Sequence, residues 1–304
     1  MRRKSLLNLR KSLDRRPLEF ESRISEKEKE IMFFVKKTPV TVPVTTKIIN
    51  AADTMINHKI RRLPIVDSGT RRMIGILSAS DIVNFLGGGE KYKIIERKCQ
   101  GNFFAAINLS VREIMSKEVI SIGEDTTVEE AIEKIVKNKV GGLPVTNEEG
   151  KVIGFVSERD FLHYISGNIA GFNVREFMSK KVVTANPDQR LIDVAKLIIS
   201  KGYRRLPVLH ENELVGIIST SDLIRALGKG EIFDHCTICD GWDIMNISIE
   251  KFMSRDVIYT SPEEDMGNVA RIMDEKSVGG LPVLENGKIV GMITSFDLLR
   301  SVYC

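Results

Sequence analysis

The chain has 304 residues, 42% of them hydrophobic and 28% charged, the proportions of a soluble globular protein with room for two ordinary domains. It contains no run of about 18 apolar residues, which excludes a membrane-spanning helix, and its four cysteines (Cys99, Cys236, Cys239, Cys304) are too few and too unevenly placed for a disulfide framework. The net charge of +4 is unevenly spread, because residues 1–37 carry 12 Lys/Arg against 6 Asp/Glu and the rest of the chain nets −2.

Residues 1–34 read as a basic arm in which Arg, Lys and Glu are mixed and no signal-peptide core occurs, so a cytoplasmic protein is expected. A solvated tail accounts for such an arm. An anchor for an acidic partner or nucleic acid is the sharper alternative, and nucleic acid is disfavoured because the arm lacks interleaved aromatics and any DNA-binding motif.

Four copies of one pattern come next: 35–86, 111–166, 174–228 and 249–304, with connections at 87–110 and 229–248. Each contains Leu-Pro-Val/Ile, with prolines at Pro64, Pro144, Pro207 and Pro282. Each then reads Gly, two apolar residues, Ser or Thr, two variable residues, Asp: Gly75 to Asp81, Gly154 to Asp160, Gly216 to Asp222, Gly291 to Asp297. Repeats two to four open alike (Val111 to Met115, Val174 to Met178, Ile249 to Met253), whereas repeat one has Phe34 to Lys37 there.

Repeat two shows the elements best. An opening strand is expected near Val119 to Ile122. Val128, Ala131, Ile132, Ile135 and Val136 form the stripe of an amphipathic helix, which Asp125 or Thr126 can cap, Thr126 with Glu129 fitting a capping box. Leu143 to Thr146 and Lys151 to Val156 predict two strands around a turn at Asn147 to Gly150, and a closing helix starts at Ser157. Each unit is therefore β-α-β-β-α, an α/β (α+β) repeat near the lower size limit for an independent core, so pairing is expected. A longer period overlies the short one. Arg61-Arg62 and Arg204-Arg205 precede Leu-Pro in repeats one and three, Gly141-Gly142 and Gly279-Gly280 in repeats two and four. Repeats one and three also end in Leu-Gly-x-Gly-Glu (Leu86 to Glu90, Leu227 to Glu231). The duplicated unit is a pair, one with two and three with four.

These residues resemble the CBS domain, over about 35–304. The resemblance implies two Bateman modules, each of two repeats, assembled as a disc. The Arg-Arg and Gly-Gly alternation, with Gly-Gly-Gly-Glu-Lys-Tyr at 87–92, is similar to archaeal four-CBS proteins and through them to the γ subunit of AMP-activated protein kinase. That family implies AMP, ADP or ATP in clefts between paired repeats.

The Ser/Thr-x-x-Asp motif (Ser78 and Asp81, Ser157 and Asp160, Ser219 and Asp222, Thr294 and Asp297) reads first as a capping box where strand gives way to helix. A short carboxylate also suits both hydrogen bonds of a ribose diol, and a helix start can hold a phosphate. The Arg pairs offer planar forks for phosphate oxygens, with His58, Lys91 and Arg159 as weaker candidates. The resemblance adds Thr41, Ser121, Thr184 and Thr260, in or near the opening strands, as lining for the base. Cys236 and Cys239 beside His235 make one Cys-x-x-Cys, read as loop thiols, so no metal is expected. His163 and His210 belong to no catalytic constellation, and no phosphate-binding loop occurs.

The expectation is a regulator without its effector domain and not an enzyme. It would sense adenine nucleotides, with Mg²⁺ or S-adenosyl ligands left open, and signal to a protein effector, kinase-like or other, with a homodimer also open. A ligand-free scaffold for assembly is the alternative.

Overall fold

The computed structural model describes residues 30–167, 169–228 and 241–303. Repeat one comprises β1 (Val42–Pro43), α1 (Ile48–Asn57), β2 (Arg62–Val66), β3 (Met73–Ser78) and α2 (Ala79–Leu86). Its strands lie in the order β1-β2-β3, with β1 parallel and β3 antiparallel to β2. The first connection holds α3 (Lys93–Cys99) and α4 (Phe103–Ile107). Repeat two contributes α5 (Val128–Asn138), β4 (Gly142–Thr146), β5 (Val152–Ser157) and α6 (Leu162–Ser166). Repeat three has α7 (Val174–Phe177), α8 (Leu191–Lys201), β6 (Arg205–His210), β7 (Glu213–Ser219) and α9 (Thr220–Gly228). Repeat four has α10 (Met266–Glu275), β8 (Gly280–Glu285), β9 (Lys288–Thr294) and α11 (Ser295–Tyr303).

Three local expectations are corrected. The opening strand is two residues long in repeat one and a single parallel bridge elsewhere (Ile122 to Val145, Ala185 to Val208, Thr260 to Val283). The cap of α5 is Thr127 with Glu130, not Thr126 with Glu129: Glu130 N–H donates to Thr127 Oγ1 at 3.3 Å and Thr127 N–H to Glu130 Oε2 at 3.0 Å. The two pairs are chemically equal, and the buried Val128 selects between them by having to be the first helical residue. In repeat two the closing helix starts at Ser157 as a 3-10 turn, Glu158–Phe161, before α6.

The recurring proline organises each sheet. Pro64 stands opposite Ile76, Pro144 opposite Phe155, Pro207 opposite Ile217 and Pro282 opposite Met292. A proline has no N–H to give, and the residue facing it directs both backbone groups to the other edge. There a short leader ahead of a repeat completes the sheet. Ile76 exchanges both hydrogen bonds with Ser116, Phe155 with Lys36, Ile217 with Ser254 and Met292 with Ser179. The leader before repeat two thus docks on repeat one and that before repeat one on repeat two; the leaders of repeats three and four are exchanged in the same way.

The glycine opening each Ser/Thr-x-x-Asp motif makes room for that leader. A Cβ on Gly75 would lie 2.7 Å from Met115 Sδ, on Gly216 2.7 Å from Met253 Sδ, and on Gly291 2.5 Å from Met178 Sδ. On Gly154 it would strike Val35 Cγ1. Repeat one therefore has its opening after all: Ile31 to Lys36 takes the place of the Met-bearing leaders, with Ile31 fully buried and Val35 standing for the methionine.

Two compact units result. One contains repeats one and three (Val40–Val119 and Val183–Val257), the other repeats two and four with the first leader (residues up to Pro39, Ile120–Val182, and from Ile258). In the first, α9 packs on α1 and α2, and α8 on α2; in the second, α6 packs on α10, and α11 on α5 and α6. Each has one apolar core running through both of its repeats.

Candidate functional site

The strand-to-helix corner of every repeat carries the same cap. Ser78, Ser157, Ser219 and Thr294 end their strands, and each gives its N–H and its hydroxyl to Oδ2 of the Asp three residues on. The hydroxyl bonds measure 2.6 Å in all four, and the N–H bonds 2.7, 2.7, 2.8 and 3.1 Å for Asp81, Asp160, Asp222 and Asp297. The capping reading of the motif is therefore what the structure shows, and it occupies one oxygen of each carboxylate.

The other oxygen meets a cation in all four repeats. Asp81 Oδ1 receives Lys91 Nζ, Asp160 Oδ1 has Lys36 Nζ at 3.3 Å, Asp222 Oδ1 receives Arg225 Nη2, and Asp297 Oδ1 has Arg300 Nη2 at 3.1 Å. Of these cations the sequence singled out Lys91 alone. Arg225 and Arg300 were legible, since both stand three residues after the motif Asp and so on the same helix face. Asn84 and His163 occupy that place in repeats one and two, and there a lysine from elsewhere in the chain supplies the charge. Asp222 and Asp297 are buried, Asp81 and Asp160 half-buried. Burial pushes the Asp297 carboxyl above the usual carboxylate range, against the Thr294 hydrogen bonds and Arg300.

The paired residues before Leu-Pro sit on the same corners. Arg62 lies opposite Ser78, Gly142 opposite Ser157, Arg205 opposite Ser219 and Gly280 opposite Thr294. The residue before each accepts, through its carbonyl, the first amide of the closing helix: Arg61 from Ala79 at 2.9 Å, Gly141 from Glu158 at 3.3 Å, Arg204 from Thr220 at 3.0 Å, Gly279 from Ser295 at 3.2 Å. Both Arg pairs fall in the unit of repeats one and three, half-buried, and both Gly pairs in the other. None of the four arginines stands free. In the Gly-Gly unit the first residue of repeat two's closing turn is a buried acid, Glu158, whose Oε2 accepts from Ser295 Oγ at 2.9 Å. The sequence reading passed over Glu158; an acid in a position otherwise held by Ala79, Thr220 and Ser295 was the available signal.

The opening-strand candidates are not equivalent. Thr41, Ser121 and Thr184 are half-buried and each precedes the residue that bridges to the Leu-Pro strand. Thr260 is itself the bridging residue, so it matches Val42, Ile122 and Ala185, and its side chain faces the opposite way. It is buried, and Thr260 Oγ1 lacks a hydrogen-bond partner. The place matching Thr41 belongs to Tyr259, which is 59% exposed. Counting back from the helix starts at Ile48, Val128, Leu191 and Met266 gives this register, whereas matching by residue type does not.

Of the weaker candidates, His58 caps the C-terminal end of α1, exposed to solvent. Arg159 Nη1 donates to Ser277 O and so ties repeat two to repeat four. Cys236, Cys239 and His235, and residues 1–29 of the arm, lie outside the described residues. Among the described residues there is no group of three or more His, Cys, Asp or Glu able to hold a metal, and no helix long and apolar enough to cross a membrane.

A CBS domain model matches residues 29–88, 111–167, 174–229 and 249–303. The chain is 41% identical over 266 residues to the uncharacterized protein MJ1225 of Methanocaldococcus jannaschii, covering 87% of this chain and 95% of that one. The crystal structure of MJ1225, described there as a candidate archaeal homologue of the γ subunit of AMP-activated protein kinase, superposes with a TM-score of 0.84 at 39% identity, over 89% of this chain and 99% of that one. An uncharacterized 33.4 kDa protein of the ribosomal RNA operon of Thermofilum pendens is 25% identical over 259 residues, 85% of this chain and 86% of that one. A conserved protein of Pyrococcus horikoshii shares the fold, with a TM-score of 0.57 at 20% identity over 90% of this chain and 99% of that one. With three quarters of its length matched by four copies of one family model, the chain belongs to the CBS domain family.

Proposed function

We propose that this protein is a non-catalytic sensor that binds adenine nucleotides, AMP, ADP or ATP, at the polar corners of its repeats and passes their occupancy to a protein partner. The observation that carries this reading is the fourfold corner itself. A carboxylate is held in one orientation by its own Ser or Thr, one oxygen facing outward to a cation, beside a strand that bears an Arg pair in repeats one and three. The outward oxygen suits a ribose hydroxyl and the guanidinium forks suit phosphate. The likeness to MJ1225, itself compared with a kinase γ subunit, supports the choice of ligand.

Asp222→Asn and Asp297→Asn keep the size of the carboxylate and remove its charge. Each should weaken AMP binding about tenfold, on the order of one charge-assisted hydrogen bond, with the fold retained by circular dichroism. Unchanged calorimetric affinity in both variants would refute the ribose role.

A second reading has its own observation. All four carboxylates are already satisfied by caps and cations, as in a scaffold whose repeats serve assembly alone. A thermal-shift series with AMP and ATP up to millimolar concentration separates the two, because a ligand that binds only the folded chain raises its melting temperature.

A further inference from the structure

An ionised carboxylate offers about four lone-pair sites, two on each oxygen. In each repeat Oδ2 is filled by the N–H and hydroxyl of the capping residue, and one site of Oδ1 is taken by a cation. A diol presents two hydroxyl hydrogens and needs the whole of Oδ1. Ribose binding therefore has to evict the cation, and the consequence of eviction depends on where in the chain that cation is attached.

In repeats three and four the cation is on the same helix as its Asp, three residues on, and so does not come from a connection between repeats, although Arg225 Nη2 also reaches the Phe252 carbonyl of the exchanged leader at 3.5 Å. In repeat two it is Lys36, a side chain 64% exposed at 3.3 Å from Asp160. Repeat one differs. Lys91 comes from the first connection, its N–H is fixed to Asn84 Oδ1 at 2.9 Å, and its ammonium contacts both Asp81 Oδ1 and the carbonyl of Ile114, the latter at 2.5 Å. Ile114 lies in the leader that completes the sheet of repeat one, directly before Met115, which fills the space left by Gly75. The next residue in the connection, Tyr92, packs on Trp242 with ring centroids 5.6 Å apart, and Trp242 in turn packs on Phe103 at 5.1 Å and donates to Gly101 O at 2.6 Å. One ammonium thus joins the motif Asp, the connection and the exchanged leader.

We propose that Lys91 is an autoinhibitory latch: in the ligand-free protein it occupies Asp81 and holds residues 90–116 in place, and a nucleotide ribose at repeat one displaces it and loosens that segment. Repeat one is then the copy whose occupancy is transmitted to the connection. The inference rests on Asp81 contacting ribose as proposed above.

Hydrogen-exchange mass spectrometry on the full chain tests it, with AMP as the probe and three proteins: wild type, Lys91→Met and Lys91→Arg. AMP should speed exchange in 90–116 of the wild type roughly threefold, the size expected for loss of one partly exposed ion pair. Ligand-free Lys91→Met should already exchange at that faster rate, with no further increase on adding AMP, and Lys91→Arg should restore the wild-type response. If ligand-free Lys91→Met exchanges at the wild-type rate, the latch is wrong whatever binds at Asp81. If Lys91→Met exchanges faster but calorimetry finds no AMP binding to any of the three proteins, the nucleotide reading of the site falls and autoinhibition with it, while the grip of Lys91 on the segment stands. Binding of AMP that Asp81→Asn weakens, with exchange in 90–116 of the wild type unchanged, overturns the latch and leaves the nucleotide reading intact.

Discussion

The unit of repeats one and three and the unit of repeats two and four are built on the same corner, yet their charges differ. The first has Arg61-Arg62 and Arg204-Arg205 before its proline strands and Ala79 and Thr220 at the first helical positions; the second has two Gly pairs there, with Glu158 and Ser295. In both, the residue before the strand accepts the first helical amide through its carbonyl. Any residue supplies a carbonyl, so the side chain at this place can differ between repeats, and four half-buried guanidinium groups, none of them free, have collected in one unit. In the other unit a glycine is required at 142, where a Cβ would lie 2.6 Å from Val156 O. Backbone crowding and electrostatics have thus been separated between two copies of one architecture.

Three experiments break or sharpen this contrast. The largest effect is expected from the double change Arg204→Ala, Arg205→Ala. Losing charge-assisted hydrogen bonds of roughly 1.5–3 kcal/mol each should weaken ATP binding at least about 10²-fold and weaken adenosine binding far less. Equal losses for the two ligands in calorimetry would show that the Arg pairs do not read phosphate.

A smaller effect comes from filling the leader's space. Gly216→Ala would place a methyl 2.7 Å from Met253 Sδ, and overpacking of this kind costs about 1–3 kcal/mol. Gly154→Ala, against the stiffer β-branched Val35, should lie at the upper end of that range. Urea midpoints compare the two, and a cost for Gly154→Ala below that for Gly216→Ala would mean that Val35 does not replace the methionine.

The smallest effect concerns pH. Because burial raises the Asp297 carboxyl above its ordinary value of 3.8, the fold prefers this group protonated. Its contribution to stability is fully present below the unfolded value and is lost as pH rises through the folded one. The stability of the wild type relative to Asp297→Asn should therefore grow as pH falls from neutral towards 4. Nucleotide binding at repeat four should weaken over the same interval, since a protonated carboxyl accepts fewer hydrogen bonds. Denaturation midpoints of the two proteins that run parallel across that interval would contradict the shift.

The repeat, its element order and the four caps were legible because they depend on contacts three or four residues apart, which recurrence makes visible. Matching by residue type failed where register mattered. Thr260 looked like Thr41 and Thr184, but period-two alternation turns it into the core of repeat four, and Thr126 yielded to Thr127 because Val128 had to be buried.

The sequence by itself determined that four copies of one helix, hairpin and helix unit would form and that each hairpin would end in a Ser/Thr-x-x-Asp cap. Only the tertiary structure decided which repeat completes which sheet and which cation meets each carboxylate. Prolines and glycines prescribe an edge left unpaired and a space left empty, but the segment that occupies them lies tens of residues away. The backbone hydrogen bonds that join leader to sheet are the same in all four repeats and carry no residue identity, so the pairing cannot be read from the residues.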